Sequence, residues 1–419
     1  MSHVRVTTLP NGLRVATDTM PDVQTVSLGC WVGVGTRNEA ASVNGVAHLV
    51  EHMLFKGTQR RSAFRISEEI ENVGGQLNAY TTREHTAYYA KVLHEDTELA
   101  LDLIADMLQH SVLDEGELVR ERTVVLQEIG QAADTPDDII FDHFQTTAYP
   151  DQAIGRPVLG SAEIIGSLPR GALVDYLARH YAGPSVVLAA AGRIEHDRLV
   201  ELATKAFAGL PATVLPEVEP AHYRGGDFRE ERDLEQMHLV LGFDGVGVHD
   251  PDFYAHSVLS TLLGGGMSSR LFQEVREKRG LVYSIYTFTG GYRDGGLFGI
   301  YAGTGEEEVS ELLPVVCEEL VKVGEDISED ELARARAQMK AGTLMAMEST
   351  MARCEQLGQQ LLVYGRPIPV EEIVTRINAV DRDAVMQAAR RLRRSRPTVA
   401  ALGPTQRLED YERILARLA

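Results

Sequence analysis

Cysteine is scarce in this chain: Cys30, Cys317 and Cys354 are the only three in 419 residues. An odd number at wide spacing argues against a disulfide framework and against a thiolate metal site, and leaves reduced core or surface thiols. Long apolar runs are missing too. No window offers 18 apolar residues for a membrane span, and the start MSHVRVTTLPNGLRV lacks the basic segment and apolar stretch of a secretion signal, so a cytoplasmic protein is expected. Positive charge is in deficit, with 41 Lys and Arg against 61 Asp and Glu and a net charge of −20. That balance disfavours nucleic acid and anionic membrane as partners and favours cationic ones. With 44% hydrophobic residues over this length, the chain can bury more than one core, and two or more domains are expected.

The two halves echo each other. QTVSLGCWVGVGTRNE followed by GVAHLVEHML has a counterpart in EQMHLVLGFDGVGVHDPD followed by YAHSVLSTLL. LDEGEL, beginning at Leu113, returns as ISEDEL, beginning at Ile327, and GPSVVLAAAG around Pro184 returns as RPTVAALGP around Pro397. Three echoes in one order and at nearly one offset indicate a duplicated domain. Between the copies, residues 211–228 are rich in proline, glycine and charge without a helical or strand period, as expected of a linker. The expected division is therefore 1–210, a linker 211–228, and 229–419. Within each copy, β-rich runs such as TAYYAKVL and GGLFGIYAG precede long helical patterns. The fold class is α+β: two homologous α/β rolls, each a mainly antiparallel sheet with helices packed on one face.

The stretch GVAHLVEHMLFKGT carries the chemistry. Val46, Leu49, Val50, Met53 and Leu54 form the stripe of a core-facing helix, and His48, Glu51, His52 and Phe55 form a second row on the other side. The repeat supplies an internal control. In the second copy His256 stands at the place of His48, but Leu259 and Ser260 replace Glu51 and His52, so the shared scaffold does not need the acid and the second imidazole. Imidazoles at i and i+4 leave one helical face together and can share a single Zn²⁺, with positions open for a third ligand and water. Glu51 is placed to reach that water rather than the metal, in an H-x-x-E-H order that inverts the commoner H-E-x-x-H. For the third ligand, the helical stretch GELVRERTVVLQEIGQ offers Glu121 and Glu128, seven residues apart on one face, whose counterparts in the second copy are Ala335 and Gly342. Spacing alone does not choose between them.

These residues, together with LPNGLRV, GGQLNAYTTREHTAYYAKV, ERTVVLQEI and GGGMSSRLFQEVREKRGLVYSI, resemble the pitrilysin-like inverzincin metallopeptidases across nearly the whole chain, and within them the branch of the mitochondrial processing peptidase β-subunit and its bacterial relatives. The resemblance implies a zinc-dependent endopeptidase with one Zn²⁺ per chain and two domains in a clam-like arrangement. Its pattern, counted on from the second histidine, His52, places the third ligand at Glu128, and it gives Glu121 the part of orienting the site from behind a ligand. It implies that the second copy contributes Arg276 and Tyr283 as hydrogen-bond donors to the substrate carbonyl. It further implies that Asn78, Ala79 and Tyr80 hold an added substrate strand through the main chain, and that Phe55 walls the pocket for the residue after the cut. Asp138 and Asp142, ten and fourteen residues past Glu128, match a pair lining a pocket for an arginine just upstream of the cut. Aspartate stands at the first of these where the family often has glutamate. The expected partners are peptides or unfolded segments, basic ones included, and a second copy of the chain. The alternative is a non-catalytic structural or assembly subunit of the same fold; such subunits usually lack the metal triad, which this chain retains.

Overall fold

The computed structural model describes residues 4–213 and 216–419. The first sheet holds β1 (Val4–Thr8), β2 (Arg14–Thr19), β3 (Thr25–Val32), β4 (Gln76–Thr81), β5 (Thr86–Leu93) and β6 (Val186–Gly192) in the order β1-β2-β6-β3-β5-β4. The second holds β7 (Gly226–Glu231), β8 (Met237–Asp244), β9 (Ser284–Gly291), β10 (Gly296–Thr304) and β11 (Thr398–Gly403) in the order β7-β11-β8-β10-β9. In each sheet one pair is parallel, β2 with β6 and β7 with β11, and every other pair is antiparallel. Set side by side, β2-β6-β3-β5-β4 and β7-β11-β8-β10-β9 have one topology, as a duplication requires.

Strand alternation divides each sheet into two faces. On the first sheet Leu28, Cys30, Val32, Leu188 and Ala190 point into a core built with the helices Val46–Leu54, Thr97–His110 and His196–Ala206. Their neighbours Trp31, Val187, Ala189 and Ala191 point the other way, onto Cys354, Leu357 and Leu361 of the helix Thr350–Tyr364. The second sheet repeats the plan. Leu239, Leu241, Phe243 and Ile300 face one core, while Val240, Leu297, Tyr301 and Ala400 face Ile140, Phe144 and Ala148 of the helix Pro136–Ala148. Each sheet thus carries most of its helices on one face, as expected, and one further helix on the other.

That further helix comes from the opposite half of the sequence. One compact unit comprises residues 1–131, 156–219 and 345–369, and the other 132–155, 220–344 and 370–419. A single cut within 211–228 does not describe this division, because two segments lie across it. The exchange is reciprocal: Pro136 and Thr350 begin equivalent helices, set apart by the same interval as Leu113 and Ile327 in the sequence repeat. The expected linker also runs into a strand, since Gly226 to Phe228 begin β7. The sequence GDFREE does not alternate in polarity, which hid the strand from a periodicity reading. Val214 and Leu215 of the linker lie outside the described residues.

The helix Thr350–Tyr364 sits close on its sheet because Gly358 meets Trp31: a Cβ there would lie 2.4 Å from the indole Cδ2. Trp31 Nε1 donates to the Tyr80 hydroxyl at 3.3 Å, and that hydroxyl donates to Glu355 Oε1 at 2.8 Å. Strand β4, at the sheet's edge, is therefore tied to this helix. Among the described residues no helix is long and apolar enough to cross a membrane.

Candidate metal centre

The helix Val46–Leu54 buries Val46, Ala47, Leu49, Val50, Met53 and Leu54, and presents His48, Glu51 and His52 from the remaining face. The third ligand candidate arrives on the helix Glu115–Ala133, which sinks Leu118, Glu121 and Val125. Seven residues separate Glu121 from Glu128, about two turns, so both carboxylates leave the helix on the side of the imidazoles.

His48, His52 and Glu128 offer ligand atoms all within 4.8 Å of one another. Glu128 Oε2 stands 3.8 Å from His48 Nε2 and 3.6 Å from His52 Nε2. This carboxylate oxygen is buried without a hydrogen-bond partner among the described residues. Behind His52, Nδ1 lies 3.0 Å from Glu121 Oε2. A carboxylate only accepts, and in the neutral ring that donates Nδ1–H to it, Nε2 keeps its lone pair toward Glu128. Lys56 Nζ, 2.8 Å from Glu121 Oε1, takes the other oxygen of that buried acid. Burial, and then the neighbouring His52, push His48 down to about 4, so its imidazole is neutral, the form that binds metal. Two ring nitrogens and a carboxylate oxygen facing one another fit a divalent cation, and His₂Glu is a donor set suited to zinc.

Glu51 stays out of this set. Its Oε2 accepts from Thr81 Oγ1 at 2.5 Å. Burial raises its pKa, with Thr81 and His52 pulling the other way and Glu128 adding to the rise. In the second unit Leu259 and Ser260 occupy the equivalent helical turn, and Ser260 Oγ bonds Thr287 Oγ1 of β9 at 3.0 Å. The helix-to-edge-strand tie is common to both copies; only the first makes it with an acid. His256, at the place of His48, is buried, and its Nδ1 lies 3.1 Å from the Asp252 carbonyl.

Phe55 is half-buried beside the core at the end of the metal helix. Asn78, Ala79 and Tyr80 lie on β4, which among the described residues pairs only with β5. There the exposed Ala79 N–H is held by Asn78 Oδ1 at 2.8 Å. The remaining sequence candidates belong to the second unit. Arg276, on the π-helical turn Phe272–Glu277, has its guanidinium carbon 4.8 Å from the Phe272 ring centre and 5.7 Å from that of Tyr283, whose ring is 74% exposed. Asp138 and Asp142 share a face of the helix Pro136–Ala148; burial, then Asp142 and Asp137, raise the Asp138 pKa.

Three residues at this centre went unnoticed in the sequence. Thr81 ends the strand QLNAYT and Lys56 follows Phe55, and neither stands out by type. Glu39 is buried, 5% exposed, and reaches the start of the metal helix: Oε2 accepts from Gly45 N at 2.8 Å and Asn44 Nδ2 at 2.9 Å, and Oε1 from Ala47 N at 2.7 Å. Burial pushes its carboxyl up to about 7, against those three donors and Arg156. The one local signal was Gly45, a helix start with no side chain to cap it.

Two family models match the chain in succession. Residues 14–162 match the model of the insulinase family, peptidase family M16, and residues 167–339 match that of the peptidase M16 inactive domain. An uncharacterized zinc protease of Streptomyces coelicolor is 41% identical over 411 residues, covering 96% of this chain and 90% of that protein. The mitochondrial-processing peptidase subunit beta of Mus musculus is 38% identical over 430 residues, covering 99% of this chain and 88% of its own. A protease from Helicobacter pylori of known crystal structure shares the fold with a TM-score of 0.89 at 23% identity, over 96% of this chain and all of that one. The chain belongs to peptidase family M16, a family of zinc proteases, and carries a His-His-Glu group compatible with zinc.

Proposed function

We propose that this protein is a zinc-dependent endopeptidase acting on extended peptides or unfolded segments. The observation that carries this reading is the convergence of His48, His52 and Glu128, whose ligand atoms lie within 4.8 Å of one another, beside an acid that stays outside the set. His48, His52 and Glu128 would hold the zinc, which when bound would supply the Lewis acidity that activates a water and polarises the scissile carbonyl. Glu51 takes the proton of the attacking water and hands it to the leaving nitrogen. Thr81 fixes one oxygen of that carboxylate, which leaves Oε1 for the water. Glu121 holds His52 in the tautomer that can bind metal.

Substrate adds to β4 through the backbone of Asn78, Ala79 and Tyr80, replacing the bond from Ala79 N to Asn78, while Phe55 walls the residue after the cut. Arg276 and Tyr283 donate to the substrate carbonyl as charge develops on it. Asp138 and Asp142 favour arginine upstream of the cut. Because one chain carries both the metal group and the Arg and Tyr pair, no different subunit is required; a homodimer is the default, since two-fold closure is the commonest assembly. Three buried, unpaired cysteines suit a reducing compartment such as the cytoplasm.

The test is Glu51→Gln. The variant keeps its zinc and loses peptidase activity by about 10²-fold or more, the contribution of a positioned general base. A zinc-loaded variant turning over at near the parent rate would remove Glu51 from the chemistry. A parent that binds zinc tightly and cleaves no peptide in a broad library would favour the assembly-subunit alternative.

A further inference from the structure

The two histidines of the metal group are supported unequally. His52 is fixed from behind by Glu121, whereas His48 Nδ1 is buried with no hydrogen-bond partner among the described residues. Besides an edge contact with the His52 ring, centroids 4.7 Å apart, the direction of the His48 ring rests on its place on the helix. His48 is the third residue of Val46–Leu54, in the first turn, where backbone N–H groups have no partner within the helix and fray unless capped.

An ordinary cap is closed to this helix. Its N-cap is Gly45 at φ +95°, a conformation that side-chain-bearing residues rarely adopt. A Cβ there would also fall 2.7 Å from Ile165 Cδ1 and 2.8 Å from the Leu159 carbonyl oxygen. No Ser, Thr, Asp or Asn fits at the position that normally supplies the capping oxygen. The carboxylate comes instead from Glu39, six residues earlier, with both oxygens engaged: one on Gly45 N and Asn44 Nδ2, the other on Ala47 N. Glu39 is itself moored, its carbonyl accepting from Arg156 Nη2 at 2.5 Å, and Asn44 Nδ2 also reaches the Pro157 carbonyl at 3.2 Å.

We propose that Glu39 is a positioning residue of the metal centre, a remote cap that fixes the first turn of the metal helix and through it the His48 imidazole. The inference rests on the zinc site proposed above and adds a residue that touches neither metal nor substrate. Three donors converge on its two oxygens, so the geometry asks both atoms to accept. Glutamine at position 39 keeps one oxygen but turns an NH₂ toward Ala47 N or toward the Gly45 and Asn44 donors, placing donor against donor.

The experiment measures zinc affinity of the full-length protein by competition with a chromophoric chelator, and the visible spectrum of the Co²⁺-substituted protein, for the parent, Glu39→Gln and Asn44→Ala. Glu39→Gln is expected to weaken zinc binding by about 10- to 100-fold, the range found when a group supporting a metal ligand is removed. It should also shift the cobalt bands while the metal-free protein still unfolds cooperatively. Asn44→Ala, which leaves the two backbone donors in place, changes affinity in the same direction by less. A folded Glu39→Gln protein with parental zinc affinity and cobalt spectrum overturns the inference. If Glu39→Gln does not fold, Asn44→Ala decides alone, and parental affinity there overturns it equally. A parent that takes up no zinc refutes the metal site itself rather than the part of Glu39 in it.

Discussion

Gly358→Ala sets two effects of similar size against each other. Gly358 lies inside the helix Thr350–Tyr364, where replacing glycine by alanine ordinarily gains about 1 kcal/mol. Here the added methyl would stand 2.4 Å from Trp31 Cδ2 and 2.6 Å from Cε3, more than an ångström inside van der Waals contact. The indole cannot simply move aside, since it is 1% exposed and its Nε1 is bonded to Tyr80. Overpacking of this kind costs about 1–3 kcal/mol, and a contact this short against a fixed ring belongs at the upper end. The net is a destabilisation of about 2 kcal/mol, or a fall of roughly 4–8 °C in the melting of a unit of this size. Gly130→Ala is the control in the same unit: it lies inside the helix Glu115–Ala133 with nothing within 4 Å of its Cβ, so the propensity gain stands alone and stability rises by up to about 1 kcal/mol. Calorimetry of the two variants beside the parent checks both signs. A Gly358→Ala protein that melts at or above the parent temperature would show that the exchanged helix does not press on Trp31 as described.

Three further outcomes are expected. For peptides identical except for Arg, Lys or Ala two residues before the cut, kcat/KM is highest with Arg, and that preference shrinks with added salt and in Asp142→Asn; equal values for Arg and Ala return both aspartates to a solvated helix face. Tyr283→Phe slows cleavage by about 10-fold or more at unchanged zinc content, as loss of a donor to the developing oxyanion should; an unaffected rate sets the tyrosine aside. Glu331 is opposed by burial, but hydrogen bonds from Arg270 and Ser328 outweigh it and bring its carboxyl down to about 2. A carboxyl lowered on folding stabilises fully above its unfolded value and progressively less as the pH falls toward 2, so thermal unfolding across pH 5 to 2 should be steeper for the parent than for Glu331→Gln; parallel curves refute the linkage.

The metal helix was legible because its two faces differ in kind: the stripe from Val46 to Leu54 is apolar, and the other side carries His48, Glu51 and His52, of which the second copy keeps only the first, as His256. Choosing between Glu121 and Glu128 was beyond spacing. Both leave the helix toward the imidazoles, and what separates them is depth: Glu121 is buried against His52 Nδ1, while Glu128 reaches the Nε2 atoms. Glu39 was illegible for a related reason, since it acts on Gly45 and Ala47 through a fold of the chain that no period records. The exchange of helices escaped as well. Periodicity tells which side of Thr350–Tyr364 is apolar; it does not tell which sheet that side covers, and a duplicated sequence makes each copy look complete by itself.

That exchange has a consequence for the order in which the molecule can be made. The ribosome delivers the first sheet early, yet the face bearing Trp31, Val187 and Ala189 has nothing to cover it until Cys354, Leu357 and Leu361 have been synthesised. Its apolar side chains stay wet, and Tyr80 has no Glu355 to bond, through most of translation. A fragment ending in the linker would inherit the same bare face, so a nascent or truncated N-terminal half is an aggregation-prone species rather than a small active enzyme. The edge strand next to Glu51 gains its anchor only once Glu355 has been synthesised, long after the metal helix itself.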